Sequence, residues 1–249
     1  MGQKKINVKL IKHTPNPEQI VAMSAKLCYS SSSLEETIDE GERDSGKCII
    51  LIEKLLKIGH LTPFEHVSFT FAIEGVSRSM LAQITRHRIA SFSVQSQRYV
   101  GETSFQNKNE CFDYIIPPAI EKLGTEAVDE FCEQMKTIQK WYDKWVEKLG
   151  GSRSAYEDAR FVLPNAAATK LFMTMNAREL MHFFNLRCCN RAQWEIRSVA
   201  DRILFLVKKA APNLFKTAGP RCLRGSCPEG EFSCGRMKEI QDKYLQTGV

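Results

Sequence analysis

Three arginines and a histidine crowd one stretch of the chain, Gln83-Ile84-Thr85-Arg86-His87-Arg88-Ile89-Ala90-Ser91-Phe92-Ser93-Val94-Gln95-Ser96-Gln97-Arg98-Tyr99. A guanidinium offers a planar fork of donors that fits phosphate oxygens, and it stays charged at any relevant pH. Arg86 and Arg88, at i and i+2, would stand about 200° apart on a helix and cannot share a face. Both can converge on one ligand only where a helix unwinds. The stretch therefore reads as a loop that receives an anion. The plainer alternative is a helix end whose Arg and His complement the dipole.

Two further segments carry reactive side chains. His60-Leu61-Thr62-Pro63-Phe64-Glu65-His66 places two His and a Glu at i, i+5 and i+6, which is not the i, i+4 spacing of a helical zinc site. Read without a ligand, the segment is a tight turn into a strand. Asn176-Ala177-Arg178 opens a helical segment in which Arg178 and His182 share one face, with Asn185 one turn further. Asn176 there marks a helix N-terminus, where backbone N–H groups favour an anion. An ordinary amphipathic helix accounts for the same spacing.

The elements that must position these residues follow from periodicity. Ile6–Lys12 alternates as a strand, and Thr14-Pro15-Asn16-Pro17 is a turn before a helix over Glu18–Leu27. Ser30–Ser33 and the acidic residues after it read as a loop, and Lys47–Ile58 as an amphipathic helix ended by Gly59. His66–Ile73 is the cleanest strand, with Val67, Phe69, Phe71 and Ile73 on one side. Ser77 is placed to cap a helix from Arg78 to about His87, with Arg88–Arg98 a loop. One long helix is expected over Ala119–Leu149, a short one over Ser154–Phe161 and a second core strand over Thr169–Met175. Helices over Ala177–Leu186 and Arg191–Lys209 complete an α/β (α+β) chain, a single domain with a central sheet flanked by helices. A catalytic region, 1–217, precedes a Cys- and Gly-rich tail, 218–249.

Composition narrows the setting. The chain has 249 residues, 43% hydrophobic and 26% charged, with a net charge of +6 and a pI near 8.8. Disorder, collagen and coiled-coil rods are excluded by that balance. No apolar run reaches the ~20 residues of a membrane helix. Lys9 and Lys12 interrupt any signal-peptide core, and Ile6 stands where a myristoylation signal needs Ser or Thr. A cytoplasmic protein with no membrane partner is expected. Nine cysteines at irregular spacing make a poor disulfide framework. Cys222, Cys227 and Cys234 lack any Cys-x-x-Cys pair and would need a fourth ligand elsewhere to hold zinc. Reduced thiols and no metal are expected. A nucleic-acid module using the Arg86–Arg98 stretch and Trp194 is a rival, but Lys and Arg form no continuous stripe.

Taken together, the segments resemble the flavin-dependent thymidylate synthase family. Arg86-His87-Arg88, seven residues and then Ser96 match its signature, extended by Arg98-Tyr99. His60 to Phe71 resembles its His-x-Thr-Pro-Phe-Glu-His block. Asn176-Ala177-Arg178 through Asn185-Leu186-Arg187 to Ala192-Gln193-Trp194-Glu195 resembles another, and Arg160 matches a further arginine. The resemblance covers roughly Glu53–Arg197.

It implies an enzyme that methylates dUMP to dTMP with methylenetetrahydrofolate as carbon donor. FAD reduced by NADPH would supply the hydride, and tetrahydrofolate would be released. By position, FAD would meet Thr62, Arg86, His87, Arg88, Asn176, Arg178 and His182, with His60 and Glu65 lining the same region. The nucleotide would meet Gln83, Arg86, Val94, Gln95, Ser96, Gln97, Arg98 and Arg160. Arg187 would be the catalytic residue, polarising the uracil ring. Ser96 has no evident activating base in the motif and reads as a positioning residue. The resemblance also implies a homotetramer with shared sites and no nucleic-acid partner. Ser93, Val94, His182 and Arg191 depart from the residues many members carry there, and Val94 leaves only backbone to touch a ligand.

Overall fold

The computed structural model describes residues 2–43, 45–104 and 111–246. Helices and one four-stranded sheet make up the fold, so the mixed α/β class expected from the sequence is the class observed. The strands are β1 (Asn7–His13), β2 (Ser68–Ser77), β3 (Ala90–Val94) and β4 (Ala168–Asn176), in the order β1-β2-β4-β3. Their register is antiparallel. Thr14 N–H donates to the Ser68 carbonyl at 3.0 Å at one end of the β1–β2 pair, while Gly75 abuts Lys5 at the other. Gly75 has φ +67°, and a Cβ there would lie 2.0 Å from the Lys5 carbonyl oxygen, so glycine is required on both counts.

The chain forms two compact units, each assembled from separated segments. The first comprises 1–7, 73–86 and 92–172. Its helices are α4 (Arg78–Ile84), α5 (Pro118–Glu121), α6 (Thr125–Lys148) and α7 (Ala155–Ala159). Phe112, Tyr114, Ile116 and Met135 form one apolar cluster, and Tyr142, Val146, Ala155 and Ala159 another. Gln139 is buried between them in sequence and satisfies the chain around it. Its Oε1 accepts the Phe112 N–H at 2.6 Å and its Nε2 donates to the Glu102 carbonyl at 2.8 Å.

The second unit comprises 8–72, 87–91 and 173–249. Its helices are α1 (Pro17–Leu27), α2 (Leu34–Arg43), α3 (Ser45–Ile58), α8 (Ala177–Arg187), α9 (Trp194–Ala210) and α10 (Met237–Gln246). A 3-10 turn, Thr62–His66, leads into β2. Phe69 and Phe184 both meet Phe215 edge-on, at centroid distances of 5.4 and 6.1 Å. The tail is ordered into 3-10 turns and α10, whose Ile240 and Tyr244 are buried.

Several boundaries differ from expectation. The acidic residues after Ser33 form α2 rather than a loop, because Ser33 and Glu36 make a reciprocal capping box. Ser33 N–H donates to Glu36 Oε2 at 2.9 Å, and Glu36 N–H to Ser33 Oγ at 3.2 Å. Part of Arg88–Arg98 is strand β3, where the alternation of Ser91, Phe92, Ser93 and Val94 fits an edge position. The expected long helix is broken at Gly124, which has φ +105°. Helix α4 stops at Ile84, three residues early, and α9 begins at Trp194 because the Gln193 side chain caps it.

Candidate active site

Both caps read from the sequence are present. Ser77 Oγ accepts the Met80 N–H at 3.0 Å, and Asn176 Oδ1 accepts the Glu179 N–H at 2.8 Å. They start α4 and α8, the helices that lead to the first arginine cluster and carry the last.

In the second unit, α8 turns one face inward. Glu179, Leu180, Phe183 and Phe184 are all buried there. The Glu179 carboxylate meets His87 Nδ1 at 3.0 Å, and Arg187 Nε donates to His87 Nε2 at 3.1 Å. Since a guanidinium only donates, Nε2 must accept, and the ring proton must sit on Nδ1 facing Glu179. His87 is 4% exposed. Burial lowers its pKa below the usual histidine value, and the nearby Arg187 adds to this, while the Glu179 hydrogen bond opposes it. The imidazole is therefore neutral near pH 7. The ring also meets Phe183 edge-on at 4.9 Å and His182 at 5.9 Å. The result is a fixed chain, carboxylate to imidazole to guanidinium, that orients Arg187.

His87, Glu179 and His182 also form a trio whose ligand atoms lie within 4.8 Å of one another. A cation held there would face the Arg187 guanidinium, already bonded to the same ring. The hydrogen-bonded reading fits the arrangement better than a metal.

The same unit holds other residues expected to meet a flavin. Arg178, exposed on α8, pairs with Glu65 from the 3-10 turn. His60 Nδ1 is 2.9 Å from the Tyr29 hydroxyl. Thr62 and His182 are exposed. Arg88 is exposed and has no side-chain partner among the described residues.

The residues expected to meet the nucleotide fall in the first unit. Arg98 Nε is 3.1 Å from Glu157 Oε1, and Arg160 Nε donates to the Glu157 carbonyl at 3.0 Å, so one residue gathers both arginines. Ser96 starts a turn. Its carbonyl accepts the Val100 N–H at 3.0 Å and its Oγ accepts the Arg98 N–H at 3.2 Å. Gln95 N–H pairs with the Lys170 carbonyl at 3.0 Å, which fixes Val94 and Gln95 at the end of β3. Gln95 lines an open cleft of about 700 Å³ with Lys4, Tyr99, Tyr156 and Lys170. Gln97 Nε2 is buried without a partner among the described residues. Gln83 Nε2 donates to the Ser79 carbonyl at 3.3 Å, and Arg86 is exposed at the end of α4.

Sequence reasoning missed four supporting residues: Glu179, Arg78, Glu157 and Tyr29. Arg78 donates to the Gln95 carbonyl at 3.2 Å. Burial lowers its pKa, Glu102 opposes this, and Arg160 adds to the lowering. Two of the four left a signal. A cation in the first turn of α4 opposes the helix dipole, and a carboxylate four residues before Phe183 sits on an apolar face.

The fold recurs in a solved enzyme structure, a UMP/dUMP methylase from Streptomyces cacaoi bound with 5-Br dUMP. It is 23% identical, has a TM-score of 0.70, and the match covers 86% of this chain and 94% of that one. Residues 9–213 match the family model described as thymidylate synthase complementing protein. The chain is similar to flavin-dependent thymidylate synthases of Clostridium tetani, at 50% identity over 96% of this chain and 97% of the relative, and of Geobacter sulfurreducens, at 43% over 98% and 100%. A homologue from Pyrococcus horikoshii is 40% identical over 96% and 97%. The chain belongs to the flavin-dependent thymidylate synthase family, and it is an enzyme.

Proposed function

We propose that this enzyme converts dUMP to dTMP, taking the carbon from methylenetetrahydrofolate and the hydride from FAD that NADPH has reduced, and releasing tetrahydrofolate. The observation that carries the reading is the Glu179–His87–Arg187 chain, in which a buried carboxylate and imidazole hold a half-buried guanidinium at the end of α8. Making C5 of uracil nucleophilic requires negative charge on the ring. Arg187, aimed at N3 and O2, stabilises that charge as it develops.

The donor set suits FAD. Arg88, Arg178, His182 and Thr62 are exposed donors in one unit, which supports their holding a pyrophosphate and an isoalloxazine edge. Asn176 starts the helix that carries Arg178 and His182, and Glu65 fixes Arg178. His60, in the same unit, completes the set. His87 is buried, so its part is played through Arg187. Bound FAD supplies the hydride; the side chains bind, orient and exclude water.

For dUMP, Arg98 and Arg160 beside Glu157 offer a phosphate site, and the unpartnered Gln97 amide offers a donor to the base or sugar. Gln83, Arg86, Val94, Gln95 and Ser96 shape the same site. Exposed Ile89, Tyr99 and Phe161 lie beside these residues in sequence, which supports burial against other copies in a homotetramer. Among the described residues no helix is long and apolar enough to cross a membrane. A cytoplasmic location without a nucleic-acid partner is part of the same proposal. Anaerobic flavin reduction by NADPH, with and without dUMP, followed by dTMP detection with added folate, tests the reading. A purified chain that carries no flavin and forms no dTMP from these substrates would refute it.

A further inference from the structure

Four of the nine cysteines line one narrow cleft of the second unit: Cys189, Cys222, Cys227 and Cys234. Three belong to the tail, and Cys189 lies in the turn after α8. This supplies the fourth ligand that the tail spacing lacks. Burial raises the Cys222 pKa, and Cys189, Cys227 and Cys234 add to the rise, in keeping with the cleft they share. We propose that these cysteines form a structural zinc site that fastens the tail to the α8–α9 turn.

The chemistry of the cleft favours a single small cation. All four thiols are free of disulfides. Four thiolates in a closed set are what structural zinc selects, and such sites contribute directly to folding. The cavity, about 20 Å³, has room for roughly one water-sized body and too little for an iron–sulfur cluster. Binding releases the four thiol protons to solvent and leaves a complex of charge −2. Arg191 and Arg221 line the same cleft and offset that charge, while Glu229 opposes them. Arg191 already ties the tail down. It donates to the Phe232 carbonyl at 2.8 Å, pairs with Glu229 at 3.4 Å and lies 5.4 Å from the Phe232 ring centroid. Its departure from the usual family residue thus coincides with a role in holding the tail.

The sulfurs stand further apart than a bound ion would hold them. His87, Glu179 and His182 are the one trio of ligand atoms within 4.8 Å among the described residues. Closing the cysteines on zinc requires rotation about χ1 together with adjustment of the tail backbone. Gly225 and Gly235, at φ +150° and +71°, lie in the tail segments that would adjust.

Metal content of the full chain, purified under reductant, is the test. One zinc per chain is expected, lost in Cys227→Ser and Cys234→Ser. Anaerobic cobalt(II) added to reduced, metal-stripped wild-type protein should give the thiolate charge-transfer and visible bands of a tetrahedral sulfur site. This second measurement does not depend on the variants folding. Zinc-free protein without those cobalt bands, or disulfides among these four cysteines, overturns the proposal. So does zinc that persists in a folded Cys227→Ser/Cys234→Ser variant, since the ion would then sit elsewhere. An iron–sulfur chromophore would also overturn it. Flavin content and dTMP formation are read separately, so failure of the zinc site leaves the proposed reaction standing.

Discussion

Replacing Glu179 tests whether Arg187 is oriented through His87. Glu179 and His87 are 7% and 4% exposed. In Glu179→Ala the His87 Nδ1–H loses its acceptor inside the protein, at a cost of about 1–3 kcal/mol. For a chain of this size each kcal/mol lowers Tm by about 2–4 °C. The ring is then free to carry its proton on Nε2, where it opposes the Arg187 donor. Complete loss of one oriented donor costs about 10²–10³ in kcat, so that range bounds the expected fall in dTMP formation. Glu179→Gln keeps a carbonyl acceptor for Nδ1–H and should retain most of the turnover. A purely structural role would not produce that rescue.

The pH profile gives an independent readout. His87 has its pKa lowered by burial, with Arg187 and His182 adding to the effect and Glu179 opposing it. The unfolded chain therefore takes up a proton that the folded ring refuses. Stability is lost as pH falls below the ordinary histidine value of about 6.5. Protonation also places an Nε2–H against the Arg187 guanidinium, so turnover falls on the same side. Because Glu179 raises the His87 pKa, Glu179→Gln should move this acid limb to lower pH. Wild-type kcat and Tm in Glu179→Ala, or an acid limb displaced upward in Glu179→Gln, would refute the reasoning.

Other perturbations separate the remaining roles. Arg187→Ala should keep its flavin, measured by absorbance, and lose most dTMP formation; near-normal turnover would remove Arg187 from the chemistry. Ser96→Ala should give impaired but measurable synthesis, because Ser96 Oγ shapes the turn that carries Arg98. Complete loss, with a dUMP adduct trapped in the wild type only, would make it a nucleophile instead. Gly75→Ala should lower Tm, since αL backbone alone costs an L-residue about 1–2 kcal/mol and the Lys5 carbonyl blocks the new Cβ. Unchanged thermal unfolding would contradict that close approach.

What was legible in the sequence was local. Ser77 and Asn176 declared their helices because a cap acts within three residues. Phe69, Phe71 and Ile73 declared β2 because a buried face has period two. The Ser33–Glu36 capping box was equally local, but the acidic composition around it masked the pattern. Strand β3 was hidden because its serines suit a loop, and its pairing with β4 lies far along the chain. Family resemblance supplied a set of candidate site residues. The hydrogen-bonded chain was not legible, since Glu179 lies 92 residues from His87 and Arg187 lies 100 residues from it. The gathering of Cys189 with the tail was hidden for the same reason.

The segmentation of the two units bears on how this enzyme can be inherited and engineered. The chain passes between them at 7/8, 72/73, 86/87, 91/92 and 172/173. No single contiguous gene fragment encodes either unit. Neither unit can therefore be cut out, shuffled into another protein or replaced as a cassette. The passage at 86/87 falls inside Arg86-His87-Arg88, so even this three-residue motif belongs to both units. Variation in such a chain must proceed by point substitution and by insertion in loops, with modular exchange confined to its ends.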